Sequence, residues 1–287
     1  MGLFNPYCNS CDGIYCSLDI HFTPTCDNRC PFCIDSKNRS QMQCKPNVDE
    51  ISKTIISHED MFNDVLFLGG EPCLYLHDLV ECISRIKSET SLKVYVTTSV
   101  PYICFKEKDL FFRLVELVDG VNISAQHYDE KIGDEIRGTK SAYDRQKFYN
   151  SFPPSIKKKI RVTVNLVKPY FTKKDEILKL LHHYDEMGFG SILIRELQHA
   201  PDYFVSFEKT MNMRLPSAYA HGCQSLVDIP GENFTTPIIL KRSCSLVEST
   251  VEVTWSDILK VATKFFKPRP KNNFAVVWQD GSLRKGW

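Results

Sequence analysis

From residue 18 to about residue 200, short runs in which apolar and polar positions alternate are separated by stretches whose apolar residues return every three or four positions. A period of two belongs to a strand and a period near 3.6 to a helix, so the chain reads as strands and helices in alternation. Strand candidates are residues 18–23, 65–68, 93–98, 121–124, 160–167 and 191–197. The clearest helical stripe is Leu76, Leu79, Val80, Ile83 and Ile86. A second runs from Thr172, an expected N-cap, through Ile177, Leu178, Leu181 and Tyr184 to a terminating Gly188. Alternation of this kind calls for parallel strands joined by right-handed crossovers. The expected class is α/β, with a sheet curled toward a barrel.

Beyond residue 200 the alternation ends. Residues 201–237 are rich in Pro, Gly, Asn and Ser with little periodicity and read as irregular packing segments. Residues 238–247 and 251–255 read as paired strands and 257–266 as a short helix; 274–279 and 282–287 form a hairpin signal around Asp280-Gly281. No internal repeat or low-complexity tract is present. The expected organisation is an extension over 1–17, the alternating unit over 18–200 and an α+β appendage over 201–287.

Composition narrows the class. With 287 residues the chain can bury a full core, and no stretch approaches the ~20 apolar residues of a spanning helix. The amino terminus lacks the basic, apolar and small-residue order of a secretory signal. Twelve cysteines without such a signal point to a reducing compartment, where thiols act as metal ligands or core residues. The expectation is a cytoplasmic, oxygen-sensitive protein. Lys plus Arg at 36 against Asp plus Glu at 35 offers no broad platform for a phosphate backbone, so a nucleic-acid partner is disfavoured. The basic runs at 157–159 and 264–271 read as solvated turns or linkers.

Chemistry concentrates at Cys26, Cys30 and Cys33, on the loop that follows the first strand. Three thiolates on one loop can each take one iron of a four-iron, four-sulfur cube and leave the fourth iron open. Bare CxxxCxxC spacing also occurs in zinc and disulfide proteins, so context matters. The loop lies at a strand's carboxyl end, where barrel enzymes keep their active sites. About forty residues on, an apolar strand runs into Gly69, Gly70, Glu71 and Pro72. Glycines there let backbone approach a ligand without an intervening Cβ.

This pair of motifs, with Phe32 just before the last cysteine, resembles the signature of the radical S-adenosylmethionine (radical SAM) enzymes. The resemblance implies a partial (β/α)6 TIM-like barrel holding a [4Fe-4S] cluster through Cys26, Cys30 and Cys33. It further implies S-adenosylmethionine on the open iron, with its amino group held by Gly69 to Pro72, and reductive cleavage to a 5′-deoxyadenosyl radical that takes hydrogen from substrate. A reductant such as flavodoxin or ferredoxin is implied too. Further cofactor contacts expected by resemblance and strand-end position are Thr98, Ser124, Asn165 and Arg137, the last as a partner of the cofactor carboxylate. Arg195 and Glu196 end the sixth strand, and alternation turns one of them into the barrel. His127 and His199 sit just past strand ends and read first as hydrogen-bonded structural residues.

Of the remaining cysteines, Cys73, Cys82 and Cys104 read as small core residues. Cys8, Cys11, Cys16, Cys223 and Cys244 leave three readings open: an auxiliary cluster, with Cys8, Cys11, Cys223 and Cys244 as the set of four that could be assembled, a zinc or other structural site, or free thiols. The favoured substrate is a small molecule such as a nucleotide, sugar or cofactor precursor, because little chain lies beyond the barrel to dock a macromolecule. Peptide or protein modification is the alternative. A non-catalytic iron-sulfur or zinc protein is a reading from another class; it predicts a fourth protein ligand and leaves Gly69 to Pro72 as a turn only.

Overall fold

The computed structural model describes residues 17–36, 44–197, 200–215, 224–242 and 275–285. Six parallel strands follow the expected order: β1 (Ser17–Thr23), β2 (Asp64–Gly69), β3 (Lys93–Thr98), β4 (Gly120–Ser124), β5 (Ile160–Leu166) and β6 (Ser191–Glu196). Four more complete one sheet: β7 (Gln224–Leu226), β8 (Ile238–Arg242), β9 (Ala275–Trp278) and β10 (Leu283–Lys285). Their order is β10-β9-β1-β2-β3-β4-β5-β6-β8-β7, with β9, β1 to β6 and β8 mutually parallel. The antiparallel strands β10 and β7 are the two edges, so the sheet is not closed.

Helices fill the crossovers. They are α1 (Val48–Ile56), α2 (Leu76–Glu89), α3 (Tyr102–Lys106), α4 (Lys108–Leu117), α5 (Glu130–Arg137), α6 (Arg145–Asn150), α7 (Pro154–Lys157), α8 (Lys174–Glu186) and α9 (Phe207–Met211). The core lies between them and one face of the sheet. Leu18, Ile20 and Phe22 of β1, Val65 and Phe67 of β2, and Val162 and Val164 of β5 all turn toward it. The predicted stripe of α2 is buried there in full. In α8 the buried residues are Ile177, Leu180, Leu181 and Tyr184, with Leu178 packed at the margin. Thr172 does not cap this helix: its hydroxyl donates to the Pro169 carbonyl at 3.3 Å, and Lys173 takes the cap position with no side-chain bond. Cys73, Cys82 and Cys104 are buried, as a small apolar side chain would be.

Residues after 200 lengthen this sheet at both ends. Strand β8 starts where expected, but it lies parallel to β6 and pairs antiparallel with β7, in a stretch read from sequence as irregular. The hairpin forms as β9 and β10, with Asp280 accepting from the Ser282 N–H at 2.9 Å and Gly281 at φ +80°. Its turn seats on α1, where Thr54 donates to the Gly281 carbonyl at 2.9 Å and the Asn47 N–H to Gln279 at 2.7 Å. The strand and helix expected over 251–266 and residues Cys8, Cys11, Cys16, Cys223 and Cys244 lie outside the described residues. Among the described residues no helix is long and apolar enough to cross a membrane.

Candidate active site at the carboxyl ends of the strands

Where β1 ends, the chain enters the loop that carries Cys26, Cys30 and Cys33. All three are half-buried, and none is in a disulfide. Tight turns shape the loop: the Cys33 N–H donates to Cys30 and the Ser36 N–H to Cys33, each at 3.2 Å. Three neighbours hold it. The N–H groups of Gly70 and Glu71 donate to Thr23 and Thr25 at 2.7 and 2.8 Å, and the Arg29 N–H donates to the last residue of α5, Arg137, at 2.7 Å. Cys44 donates its N–H to the Thr25 hydroxyl at 3.0 Å and accepts from the Thr23 hydroxyl at 2.9 Å. No sequence motif singles out Cys44, yet its backbone lies against the base of the cysteine loop.

The two glycines explain how β2 can come so close. A Cβ on Gly69, whose φ is +122°, would sit 2.7 Å from the Thr23 carbonyl oxygen, and one on Gly70 would run into the Thr25 carbonyl. The missing side chains therefore admit the backbone of the cysteine loop itself. Glu71 then turns inward, 2 % exposed, and both carboxylate oxygens are occupied. Oε1 accepts from the Cys73 N–H at 3.0 Å and the Thr98 hydroxyl at 2.6 Å; Oε2 accepts from the Ser99 N–H and hydroxyl at 2.6 and 2.7 Å. Asn28, between the first two cysteines, donates to the same Ser99 hydroxyl at 2.8 Å. One chain of hydrogen bonds thus joins the cysteine loop, the Gly-Gly-Glu-Pro turn and the end of β3.

Two residues expected as cofactor contacts are engaged within the protein. Thr98 is 1 % exposed and points to Glu71, away from the barrel mouth, because it shares the outward phase of Val94 and Val96. Arg137 is 1 % exposed; its guanidinium bonds Glu130 at 2.5 Å and Asp134 at 2.9 Å, and its buried Nε has no partner in the protein. What it supplies to the site is the carbonyl that anchors Arg29. Beside it, Arg145, unremarked in the sequence, is 2 % exposed and donates to the Ser99 carbonyl at 3.1 Å and to Glu130 at 3.1 Å.

Other expected residues fall on the inner face of the sheet. Ser124 ends β4, half-buried and in register with Thr163. Asn165 donates to Gln126 at 3.3 Å while its buried Oδ1 has no partner. Glu196 turns outward to accept the Phe207 N–H at 2.7 Å, which leaves Arg195 as the inward residue of the pair. His127 is buried, accepts the Asp129 N–H at 2.9 Å and stacks on Tyr128 at 4.3 Å, and burial lowers its pKa. His199 lies outside the described residues. Phe32 is 8 % exposed and packs edge-on against Tyr203 at 5.8 Å, while Pro72 is buried at the start of a short 3₁₀ turn. Beneath the loop, His21 meets Asp35 at 2.9 Å and stacks on Trp278 at 4.4 Å.

Electrostatics sets the demand at the loop. Burial, then the Glu71 carboxylate, pushes the Cys26 thiol up to about 12. Such a thiol stays protonated near neutrality unless a metal takes it, since coordination removes the proton outright. Burial, then Asp27, pushes Glu71 up to about 7, against the donors from Thr98 and Ser99. Among the described residues no three His, Cys, Asp or Glu side chains converge as ligands of a single ion do. A cube asks for a different arrangement, because each thiolate binds its own iron, and three sulfur donors on one pinned loop fit it.

Comparison with known proteins follows the same lines. The model of the Radical SAM superfamily matches residues 20–182. Streptococcus suis SuiB, solved bound to precursor peptide SuiA, is similar in fold at a TM-score of 0.54 and 22% identity, covering 65% of this chain and 40% of its own. HydG, a maturase of the [FeFe]-hydrogenase, is similar at a TM-score of 0.50 and 16% identity, covering 69% of this chain and 48% of its own. The chain thus spans less than half the length of either. No curated protein matches the sequence.

Proposed function

The chain belongs to the radical SAM superfamily, an enzyme family that uses a [4Fe-4S] cluster and S-adenosylmethionine, and on that premise we propose that it abstracts hydrogen from a small-molecule substrate bound inside the partial barrel. In this reading Cys26, Cys30 and Cys33 hold the cluster, and the backbone of Gly69 to Glu71 takes the amino group of S-adenosylmethionine. When bound, cluster and cofactor together supply a one-electron cleavage of the sulfonium and a carbon radical that removes hydrogen.

The chain's own residues position and enclose. Glu71 serves through its side chain as a clamp: four donors fix it, and through Ser99 and Asn28 it holds the cysteine loop against β2 and β3. That clamp carries the reading, since it joins the two motifs in one buried network. Phe32 and Tyr203 cover the loop from one side. Ser124 and Asn165 face the barrel interior, and the Asn165 carbonyl oxygen, without a partner in the protein, would accept from a cofactor or substrate hydroxyl. Residues 18–200 form the catalytic unit in this reading. Enzymes of this family need a reductant, and a flavodoxin or ferredoxin would fill that role.

The polar inner face supports a small polar substrate, a nucleotide, sugar or cofactor precursor. Peptide modification is the rival reading, and SuiB, bound to a precursor peptide, is what it would resemble. Anaerobic reconstitution with iron and sulfide, reduction with dithionite and chromatographic assay of 5′-deoxyadenosine tests both. Cleavage of S-adenosylmethionine that rises with nucleotides or sugars supports the proposal. A rise confined to peptides favours the rival, and no 5′-deoxyadenosine at all from a loaded cluster overturns both.

A further inference from the structure

The core-facing positions of β5 are apolar, whereas its inner positions are Arg161, Thr163 and Asn165. Their neighbours continue the pattern. Asn165 is in register with Arg195 on β6, and Arg195 with Lys241 on β8. Strands in a sheet stand roughly 4.8 Å apart, so the cationic side chains of Arg195 and Lys241 lie next to each other on one face. Arg161 adds a third cation below them, 4 % exposed, with its Nε donating to Asn122 at 2.7 Å.

Charge of the other sign is scarce at Arg195. Among the described residues Asp19 is the acidic group that acts on it, and no hydrogen bond or ion pair reaches its guanidinium. Burial lowers the pKa of Arg195, and burial followed by the Arg195 charge brings Arg161 down to about 9. A guanidinium remains charged at neutral pH, so Arg195 and Arg161 repel each other across the inner face. A second observation comes from a neutral group. Thr163 is 5 % exposed, and its hydroxyl, between Arg161 and Asn165 on the inner face, has no hydrogen-bond partner. Buried hydroxyls are nearly always satisfied.

We propose that the β5–β6–β8 sector of the inner face binds an oxyanion of the substrate, a phosphoryl or carboxylate group, through the Arg195 guanidinium and the Thr163 hydroxyl, with Arg161 and Lys241 adding positive charge. This rests on the reading of the barrel interior as the substrate site and adds the chemical class of the substrate. A guanidinium presents paired donors to either group. Bound there, the oxyanion relieves the repulsion between the cations and tethers the substrate by an end remote from the reacting C–H bond.

Calorimetric titration of the reconstituted protein, saturated with S-adenosylmethionine and held at low ionic strength, tests this with pyrophosphate and malonate as probes. One saturable site is expected. Its affinity should fall about tenfold or more in Arg195→Gln and severalfold in Thr163→Val, from the loss of a charge-assisted and a neutral hydrogen bond, while Lys147→Gln on the surface leaves it unchanged. Tighter binding of pyrophosphate assigns a phosphoryl group, and tighter binding of malonate a carboxylate. Without oxyanion, Arg195→Gln should melt above the parent protein. Pyrophosphate or malonate should raise the melting temperature of the parent but not of the variant. Should Arg195→Gln not fold, Thr163→Val carries the test alone. Undiminished probe binding in the variants overturns the proposal, as does a loss confined to S-adenosylmethionine. No cofactor cleavage enters this titration, so its failure leaves the proposed enzymatic activity standing, and an inactive cluster leaves the oxyanion site standing.

Discussion

Glu71 shows how a residue can be legible in sequence while its partners are not. Its place after two glycines marks it as a site residue, but only the fold reveals that Thr98, Ser99 and Cys73 occupy both oxygens. Glu71→Gln sets an amide donor against those donors, and an unsatisfied buried group of this kind costs about 1–3 kcal/mol. Chemical denaturation should show that loss, together with weaker retention of iron. Arg137, expected from sequence to partner the cofactor carboxylate, is buried and ion-pairs with Glu130 and Asp134. Arg137→Gln should lose about 3–5 kcal/mol of stability, and affinity for S-adenosylmethionine in the remaining folded protein should hold. At the cysteines, Ala at 26, 30 or 33 should abolish cluster loading measured as iron per chain, while Cys44→Ser should keep it. Arg161 and Thr163 share the phase of Asn165, but only Asn165 is conspicuous by eye, because an amide in an apolar strand is out of place.

At the scale of elements, what the sequence announces depends on how strongly each element repeats its period. The six parallel strands appear where alternation puts them, and α2 buries the stripe it displays. Strand β7 is three residues long, too short for any period, and it belongs to the sheet only because β8 offers an edge. The β9–β10 hairpin is legible from Asp280-Gly281, whereas its docking on α1 is a tertiary fact that no local pattern carries. The most demanding contact between elements is that of β2 with the cysteine loop. A methyl group on Gly70 meets the Thr25 carbonyl, which is backbone and cannot swing aside. Gly70→Ala should therefore destabilise by more than the ordinary ~1 kcal/mol of a point substitution. Limited proteolysis should show the loop of residues 24–36 opened, with the distant β9–β10 hairpin still protected.

For the whole molecule, the sheet is a set of buried polar groups held in one frame, and its stability should carry their signature in pH. Asp64 is 4 % exposed, and burial pushes its carboxyl up to about 7, with Lys93 opposing and Asp119 adding. A carboxyl raised in the folded state favours folding fully below its unfolded value, roughly 3.9, and that contribution is lost as pH rises through about 7. Glu71 acts in the same direction. Denaturation midpoints should thus fall between about pH 4 and 7, and Asp64→Asn should flatten that slope. The molecule as a whole stands or falls on the open iron of a cube held by three cysteines. Electron paramagnetic resonance of the reduced, reconstituted protein, recorded with and without S-adenosylmethionine, addresses that iron directly. The account predicts a [4Fe-4S]⁺ signal whose g values shift when the cofactor is added. A signal that ignores the cofactor, from a cluster shown to be fully loaded, would contradict it.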